Sequence, residues 1–297
     1  MGSLNCKDGN TEIHSEVIDQ QLPKSGQMNE FNDILIQISS LASEEIQALV
    51  RCYLVRKGKH TKKPLEKKKV NTPLGKYQGE LNSNKEPHGQ GTVESSQFVY
   101  KGEFVNGLRE GEGHCKFHNG DVFIGAWEND KRSGYGELTT TESFKYKGMW
   151  DDDRPSGNCE ISWANGDAYK GHNENLKKQG QGTFTWSDGN TYEGQFNNDK
   201  LEGLGKFTWS NGNQYEGKWK QGKMHGKGKF IYNDNKVYEG QYKNGVKSGF
   251  GVQTFADGRV YSGNWKNNKP EGSGSVTEQG KKEKKAIWKE GKVEKIA

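Results

Sequence analysis

Three residue groups in this 297-residue chain have side chains or spacings that could do chemistry. His114, Cys115 and His118 are zinc-type donors, and on a strand the two histidines would project to one side. They occupy variable positions, however, and no third well-placed ligand can be identified. G-x-G pairs such as Gly203/Gly205 and Gly226/Gly228 have the composition of phosphate loops, yet none opens a helix and each recurs at one place in a longer pattern. Glu193, Glu216 and Glu239 are regularly spaced carboxylates that fall where a solvent-facing side chain belongs. No nucleophile, base and oxyanion donor can be assembled from these groups, so the expectation is a protein without catalysis, metal or cofactor.

Composition agrees with a non-globular design. Only 29% of the residues are apolar, against roughly 45–50% in ordinary domains. Leu, Ile, Val and Phe together make about 17% of the chain, which alone would indicate disorder. Yet glycine numbers 41, aromatics are 11%, and the formal charge is only +5. A regular aromatic and glycine-rich packing must replace the aliphatic interior. No run approaches the length of a membrane span, and no hydrophobic run near the start reads as a signal peptide. Cys6, Cys52, Cys115 and Cys159 lack C-x-x-C spacing, as expected in a reducing, intracellular compartment.

The elements that position these residues follow a period of 23. Tyr77, Tyr100, Phe123, Tyr146, Tyr169, Tyr192, Tyr215, Tyr238 and Tyr261 stand 23 residues apart. A glycine follows each at the second position, and two residues later comes a large residue: Phe104, Trp127, Trp150, Phe196, Trp219, Tyr242 or Trp265. Leu81 and Asn173 depart from this rule. A G-x-G pair follows, and Cys159 replaces its second glycine once. A broken tenth unit carries Trp288. Each unit reads as two strands and two turns, with Asn-Gly or Asp-Gly marking one turn.

The glycines, with Gly194, Gly203, Gly205, Gly217, Gly226 and Gly228 as representatives, leave hollows into which neighbouring rings can lie. Two registers are open at Asn211-Gly212. A two-residue turn would send Phe207 and Trp209 away from Tyr215 and Trp219. A three-residue turn would put all four on one face, with Gly205 opposite Trp219. The second is preferred, because it leaves Lys, Glu, Thr and Gln for the wet face.

The period, Y-x-G-x-W and G-x-G together resemble the MORN repeat over Tyr77 to Trp288, about 70% of the chain. The resemblance implies successive β-hairpins added side by side. The expected fold is mainly β, an elongated single-layer antiparallel sheet of repeated hairpins with an N-terminal amphipathic α-helix. At about 4.8 Å per strand each unit advances roughly 10 Å. The expected division is 1–28 as a disordered or extended arm, 29–58 as helix, 59–76 as basic linker, 77–292 as array and 293–297 as tail. Lysines in KKEKKAIWKEGK would guard the last edge strand. Beyond this array only a short Lys-rich tail follows, whereas some MORN arrays precede lipid kinase or methyltransferase domains.

A single layer is short of cover, so the aromatic face is expected to dock protein partners. The residues assigned to that role are Tyr100, Phe104, Trp127, Tyr146, Trp150, Tyr169, Tyr192, Phe196, Tyr215, Trp219, Tyr238, Tyr242, Tyr261 and Trp265.

Upstream, Phe31, Leu35, Ile38, Ala42, Ile46, Leu49 and Tyr53 recur at threes and fours. Within this stretch Ile46-Gln47, Arg51 and Arg56 resemble the calmodulin-binding IQ motif, with Cys52 where that motif has glycine. The resemblance implies a calmodulin or centrin-like EF-hand partner. Ile46, Leu49, Val50 and Tyr53 would fill its groove while Arg51 and Arg56 meet its acidic rim. Packing of the helix on the sheet is the competing reading.

Residues 51–76 carry +9 after a −6 stretch, so anionic lipid is a further candidate partner and nucleic acid ranks last. Arrays of this kind resemble radial spoke head proteins. The leading expectation is therefore a scaffold in a ciliary axoneme or cytoskeletal assembly, in the cytoplasm. The alternatives are a peripheral membrane tether and a regulatory subunit of a lipid kinase.

Overall fold

The structure is a computed structural model, and it describes residues 67–296. The expected arm, the IQ-like helix and most of the basic linker lie outside the described residues. The described chain is one open, 21-stranded antiparallel sheet. It runs from β1 (Lys68–Thr72) and β2 (Gly75–Leu81) to β20 (Lys284–Lys289) and β21 (Lys292–Ile296). Each strand pairs with its neighbours in sequence, so the sheet is a simple meander.

One unit explains all the others. In β12 (Thr191–Asn197), β13 (Lys200–Thr208) and β14 (Gln214–Lys220), two turn types alternate. From β12 to β13 the chain reverses through Asn198 (φ 47°) and Asp199 (φ 67°). Two consecutive left-handed residues form the hairpin turn whose twist matches the flanking strands. From β13 to β14 the loop is Ser210-Asn211-Gly212, closed by Trp209 N–H donating to Asn213 O at 2.9 Å. Gly212 there adopts φ 88°.

This three-residue loop sets the register, and Phe207 stands opposite Tyr215. The expected sharing of one face is therefore observed. One pairing is corrected: Gly203, not Gly205, stands opposite Trp219, and Gly205 faces Gly217. The loop begins at Ser210, one residue earlier than that pairing requires.

The two glycines of G-x-G do different work. In nine successive hairpins the first, from Gly89 to Gly272, has φ between 57° and 79°. In the β12–β13 pairing Gly194 faces Gly205 and the next partners are Gln195 and Glu202, so Gly203 and Leu204 form a bulge. Bulges bend the strand that carries them, and here they recur at the same place in every unit. The second glycine seats a ring. A side chain on Gly205 would collide with the Tyr192 ring, and one on Gly228 with Tyr215. The tyrosine rings are fixed by their hydroxyls, as where Tyr192 donates to Gln195 O at 3.0 Å and Tyr215 to Lys218 O at 2.9 Å.

Between successive tyrosines sits the aromatic of the following unit. Phe104 touches Tyr77 and Tyr100, Trp219 touches Tyr192 and Tyr215, and Trp265 touches Tyr238 and Tyr261. All these contacts are edge-to-face, with centroids 5.0–5.5 Å apart, the geometry that aligns a positive ring edge with a negative ring face. Indole N–H groups complete the packing: Trp219 donates to Gly205 O and Trp265 to Gly251 O, both at 3.1 Å. Polar side chains then tie each hairpin to the next, as where Ser210 N–H donates to Asn190 Oδ1 at 2.9 Å and Lys178 N–H to Asp199 Oδ1 at 3.0 Å.

The ladder is interrupted once. Cys159 occupies a ring-seating glycine position, and Asn173 stands where the next large ring belongs. Asn173 is fully buried. It donates to Gly157 O at 2.8 Å and to the Tyr146 hydroxyl at 3.2 Å. The two departures compensate, because the cysteine takes room from the Tyr146 ring and the small amide returns it.

Cys159→Gly should therefore leave a void, and Asn173→Trp should overpack by about 1–3 kcal/mol. Together they should restore a ladder rung, with a favourable coupling of about 0.5–3 kcal/mol. Urea midpoints of the four proteins, read by circular dichroism, check this; additive effects would contradict it.

Candidate docking surface

The fourteen aromatics assigned to docking are only 0–7% exposed. The expectation that this face is short of cover is corrected: the ladder rings cover one another, and half-buried neighbours such as Phe207 and Met224 pack against them. The ladder is the interior, and a partner would have to open it to touch those residues. Of the representative glycines, Gly194, Gly205, Gly217 and Gly228 lie against the Tyr192 and Tyr215 rings, whereas Gly203 and Gly226 are bulge residues facing Gln195 and Lys218.

Beside the ladder, at the three-residue-turn end of the same face, runs a second row of rings. Trp163, Phe184, Trp186, Phe207, Trp209, Phe230 and Tyr232 touch in succession, at 4.4–5.7 Å and 34–57°. Apart from the buried Phe184 these rings are half-buried. The row was legible as Phe207 and Trp209 sharing a face with Tyr215. Its separation from the ladder follows from the turn and bulge geometry.

Cations from the chain itself close parts of this face. The positions directly opposite the large aromatic, or opposite Asn173 in its place, repeat every 23 residues as Arg109, Arg132, Pro155, Lys178, Leu201, Met224, Lys247 and Pro270. The Arg109 guanidinium lies 4.1 Å from the Trp127 centroid, and that of Arg132 lies 4.3 Å from Trp150. Lys178 faces Phe184 at 5.1 Å and Lys247 faces Tyr238 at 4.3 Å. Sequence reasoning missed this position, although its period was available.

Lys247 is the unusual member. It is 8% exposed, and its ammonium donates to Gln253 Oε1 at 2.6 Å. Gln253 is itself buried and stands where earlier units have Phe184, Phe207 and Phe230. Burial, reinforced by Lys236, pushes the Lys247 ammonium down to about 8.

The opposite face is wet. Glu193, Lys206, Glu216, Lys229 and Glu239 stand opposite one another strand after strand, giving alternating charges. Leu204 and Phe250 protrude there, 61% and 56% exposed. His114 is exposed, whereas Cys115 is fully buried, its thiol pushed up to about 11 by burial. His118 lies in a turn beyond the strand. The structure thus does not bring the three together, and among the described residues no group of three or more His, Cys, Asp or Glu could hold a metal. No helix among the described residues is long and apolar enough to cross a membrane.

With this geometry in place, comparison with known proteins is direct. The MORN repeat family matches residues 100–122, 123–141, 146–168, 177–191, 192–214, 215–237, 238–258 and 261–277. The chain belongs to the MORN repeat family. No curated protein matches it. Among solved structures it is similar to the wild-type TCP10 domain of Danio rerio CPAP, at 13% identity and TM-score 0.38, covering 66% of this chain and 94% of that one. It is also similar to the SAS-4 (dCPAP) TCP domain of Drosophila melanogaster, solved with a proline-rich motif of Ana2 (dSTIL). There the identity is 10% and the TM-score 0.35, covering 60% of this chain and 90% of that one. A virginiamycin B lyase from Staphylococcus aureus aligns at 11% identity and TM-score 0.14, covering 75% and 74% of the two chains. Scores this low carry no argument about function.

The MORN ladder makes stability depend on pH in two directions. The unfolded Lys247 holds its proton up to about 10.5 whereas the folded one releases it near 8, so stability should rise with pH over that window. Burial pushes the Tyr192 phenol up from 10.0 to about 12. The unfolded chain therefore loses phenolic protons first, and stability should fall above about pH 10. Thermal melts from pH 7 to 11 should show both limbs, and Lys247→Met should flatten the rising one while keeping the fall.

Proposed function

We propose that this MORN protein is a non-catalytic scaffold that docks protein partners on the half-buried ring row from Trp163 to Tyr232. One observation carries the reading: the row is continuous and lies at the outer margin of the sheet, whereas the neighbouring ladder is closed. Partly exposed Trp, Tyr and Phe side chains are the groups that dominate protein interfaces, because each gives up a large apolar area at little conformational cost.

The finer reading is a cytoplasmic, cytoskeletal or ciliary setting, supported by the resemblance to radial spoke head proteins. In this reading Ile46, Gln47, Leu49, Val50, Arg51, Tyr53 and Arg56 recruit a calmodulin or centrin-like light chain, supported by the IQ-like spacing. These residues lie outside the described structure.

Affinity purification from ciliated cells, run in parallel with Trp186→Ala/Trp209→Ala and with Leu204→Gln on the opposite face, tests the docking reading. The double variant should lose specific partners at least about tenfold while its circular dichroism spectrum is retained, and Leu204→Gln should keep them. An unchanged partner set in the double variant would reject the row as the docking surface.

A further inference from the structure

The repeat contains an internal template for a ligand. At Arg109 the guanidinium lies 4.8 Å from the Phe98 ring and 4.1 Å from Trp127. Its Nε donates to Asp130 Oδ1 at 3.1 Å. Two repeats further on, Phe98 corresponds to Phe144, Arg109 to Pro155 and Asp130 to Leu176. Trp127, the nearer ring, corresponds to the buried Asn173, so one ring is kept while the other, the cation and its carboxylate are gone.

A hollow of about 920 Å³ opens there, lined by Phe144, Trp163 and Phe184 and by Asp121, Glu142 and Asp167. Phe144 and Trp163 meet edge-to-face at 6.2 Å. Asp121 accepts from Thr141 N–H at 3.1 Å and Asn119 at 2.7 Å, and Asp167 from Ser187 N–H at 2.8 Å and Asn165 at 2.9 Å. These donors are neutral, so the bonds fix the carboxylates without cancelling their charge. The Ser187 N–H bond also holds the Asp167 carboxyl below its ordinary value. Lys178 reaches the same hollow, its ammonium 5.4 Å from the Trp163 ring and 5.1 Å from Phe184 while it pairs with Asp199 at 2.9 Å, which leaves the Phe144 side of the floor open. The lining thus keeps an excess of negative charge over an aromatic floor.

We propose that this hollow receives an arginine side chain of a partner protein, stacked on Phe144 and Trp163 within the rim of Asp121, Glu142 and Asp167. The inference rests on the docking reading above and names the chemistry of the partner at one end of the ring row. Arginine fits better than lysine, because its planar, weakly hydrated guanidinium stacks on ring faces and meets carboxylates in a fixed fork. The chain itself stacks Arg109 on Phe98, the counterpart of Phe144, at 4.8 Å.

The test uses the full chain labelled with 5-fluorotryptophan, titrated at physiological salt with a blocked Gly-Gly-Arg-Gly-Gly peptide and with its citrulline counterpart. Citrulline keeps the shape and removes the charge. The Trp163 fluorine signal should shift saturably with the arginine peptide, and at least about fivefold more weakly with citrulline. Pro155→Arg should plug the hollow with the chain's own guanidinium and remove the shift. Asp121→Asn/Asp167→Asn, which keeps the turn acceptors, should weaken it. Equal response to the two peptides, no response at Trp163, or a response unchanged by both variants would overturn the proposal. Loss of partners on Trp186→Ala/Trp209→Ala alongside a silent Trp163 would leave the scaffold reading standing and remove this one.

Discussion

The structure depends on rings seated on bare backbone. A tyrosine lies against the sheet where the facing strand leaves room for its ring, and in every unit but that of Cys159 the second glycine of the G-x-G supplies that space. The next unit's Trp, Phe or Tyr then wedges edge-on between two tyrosines, so every added hairpin completes the burial of the one before. This explains how a chain with about 17% Leu, Ile, Val and Phe folds without a second layer. It also explains the one interruption, because once Cys159 fills a seat the wedge must shrink, and Asn173 does so while satisfying its own amide.

Much of this was legible in the sequence. The 23-residue register of Tyr77 to Tyr261 and the Asn-Gly turns mark two strands per unit, and the side-by-side hairpins of one open sheet are what the resemblance to the MORN repeat implies. The Asn-Gly loop leaves two registers open, and the shared face of Phe207 and Tyr215 is preferred because it leaves Lys, Glu, Thr and Gln for the wet face. The two roles of the glycine pair were not legible. Gly203 and Gly205 look alike as letters, and only the backbone separates a left-handed bulge residue from a seat for Tyr192. The misplaced surface has the same origin. Strand alternation alone leaves Trp219 uncovered, whereas in the structure it is wedged among Tyr192, Tyr215 and Phe207 and is 6% exposed. The aligned Arg109, Lys178 and Lys247 positions had a readable period, but their meaning required knowing which rings lie beneath them.

The consequence for function is a division of labour within one face. The inner ladder holds the MORN array together, and the outer row from Trp163 to Tyr232 keeps rings at the margin where other chains can reach them. Each repeat can vary its outer ring and its covering residue without disturbing the ladder. Arg109, Pro155, Leu201 and Lys247 show four such choices at one position. A repeat array of this type can therefore present different chemistry along its length on an unchanging interior.

Tyrosine nitration by tetranitromethane, mapped residue by residue by mass spectrometry on the native chain, tests the central claim most directly. Tyr232 on the outer row should be nitrated, while Tyr192, Tyr215 and Tyr238 remain unmodified until denaturant is added. Nitration of the ladder tyrosines in the native state at the rate of Tyr232 would show that the rings are not an interior, and would contradict the account.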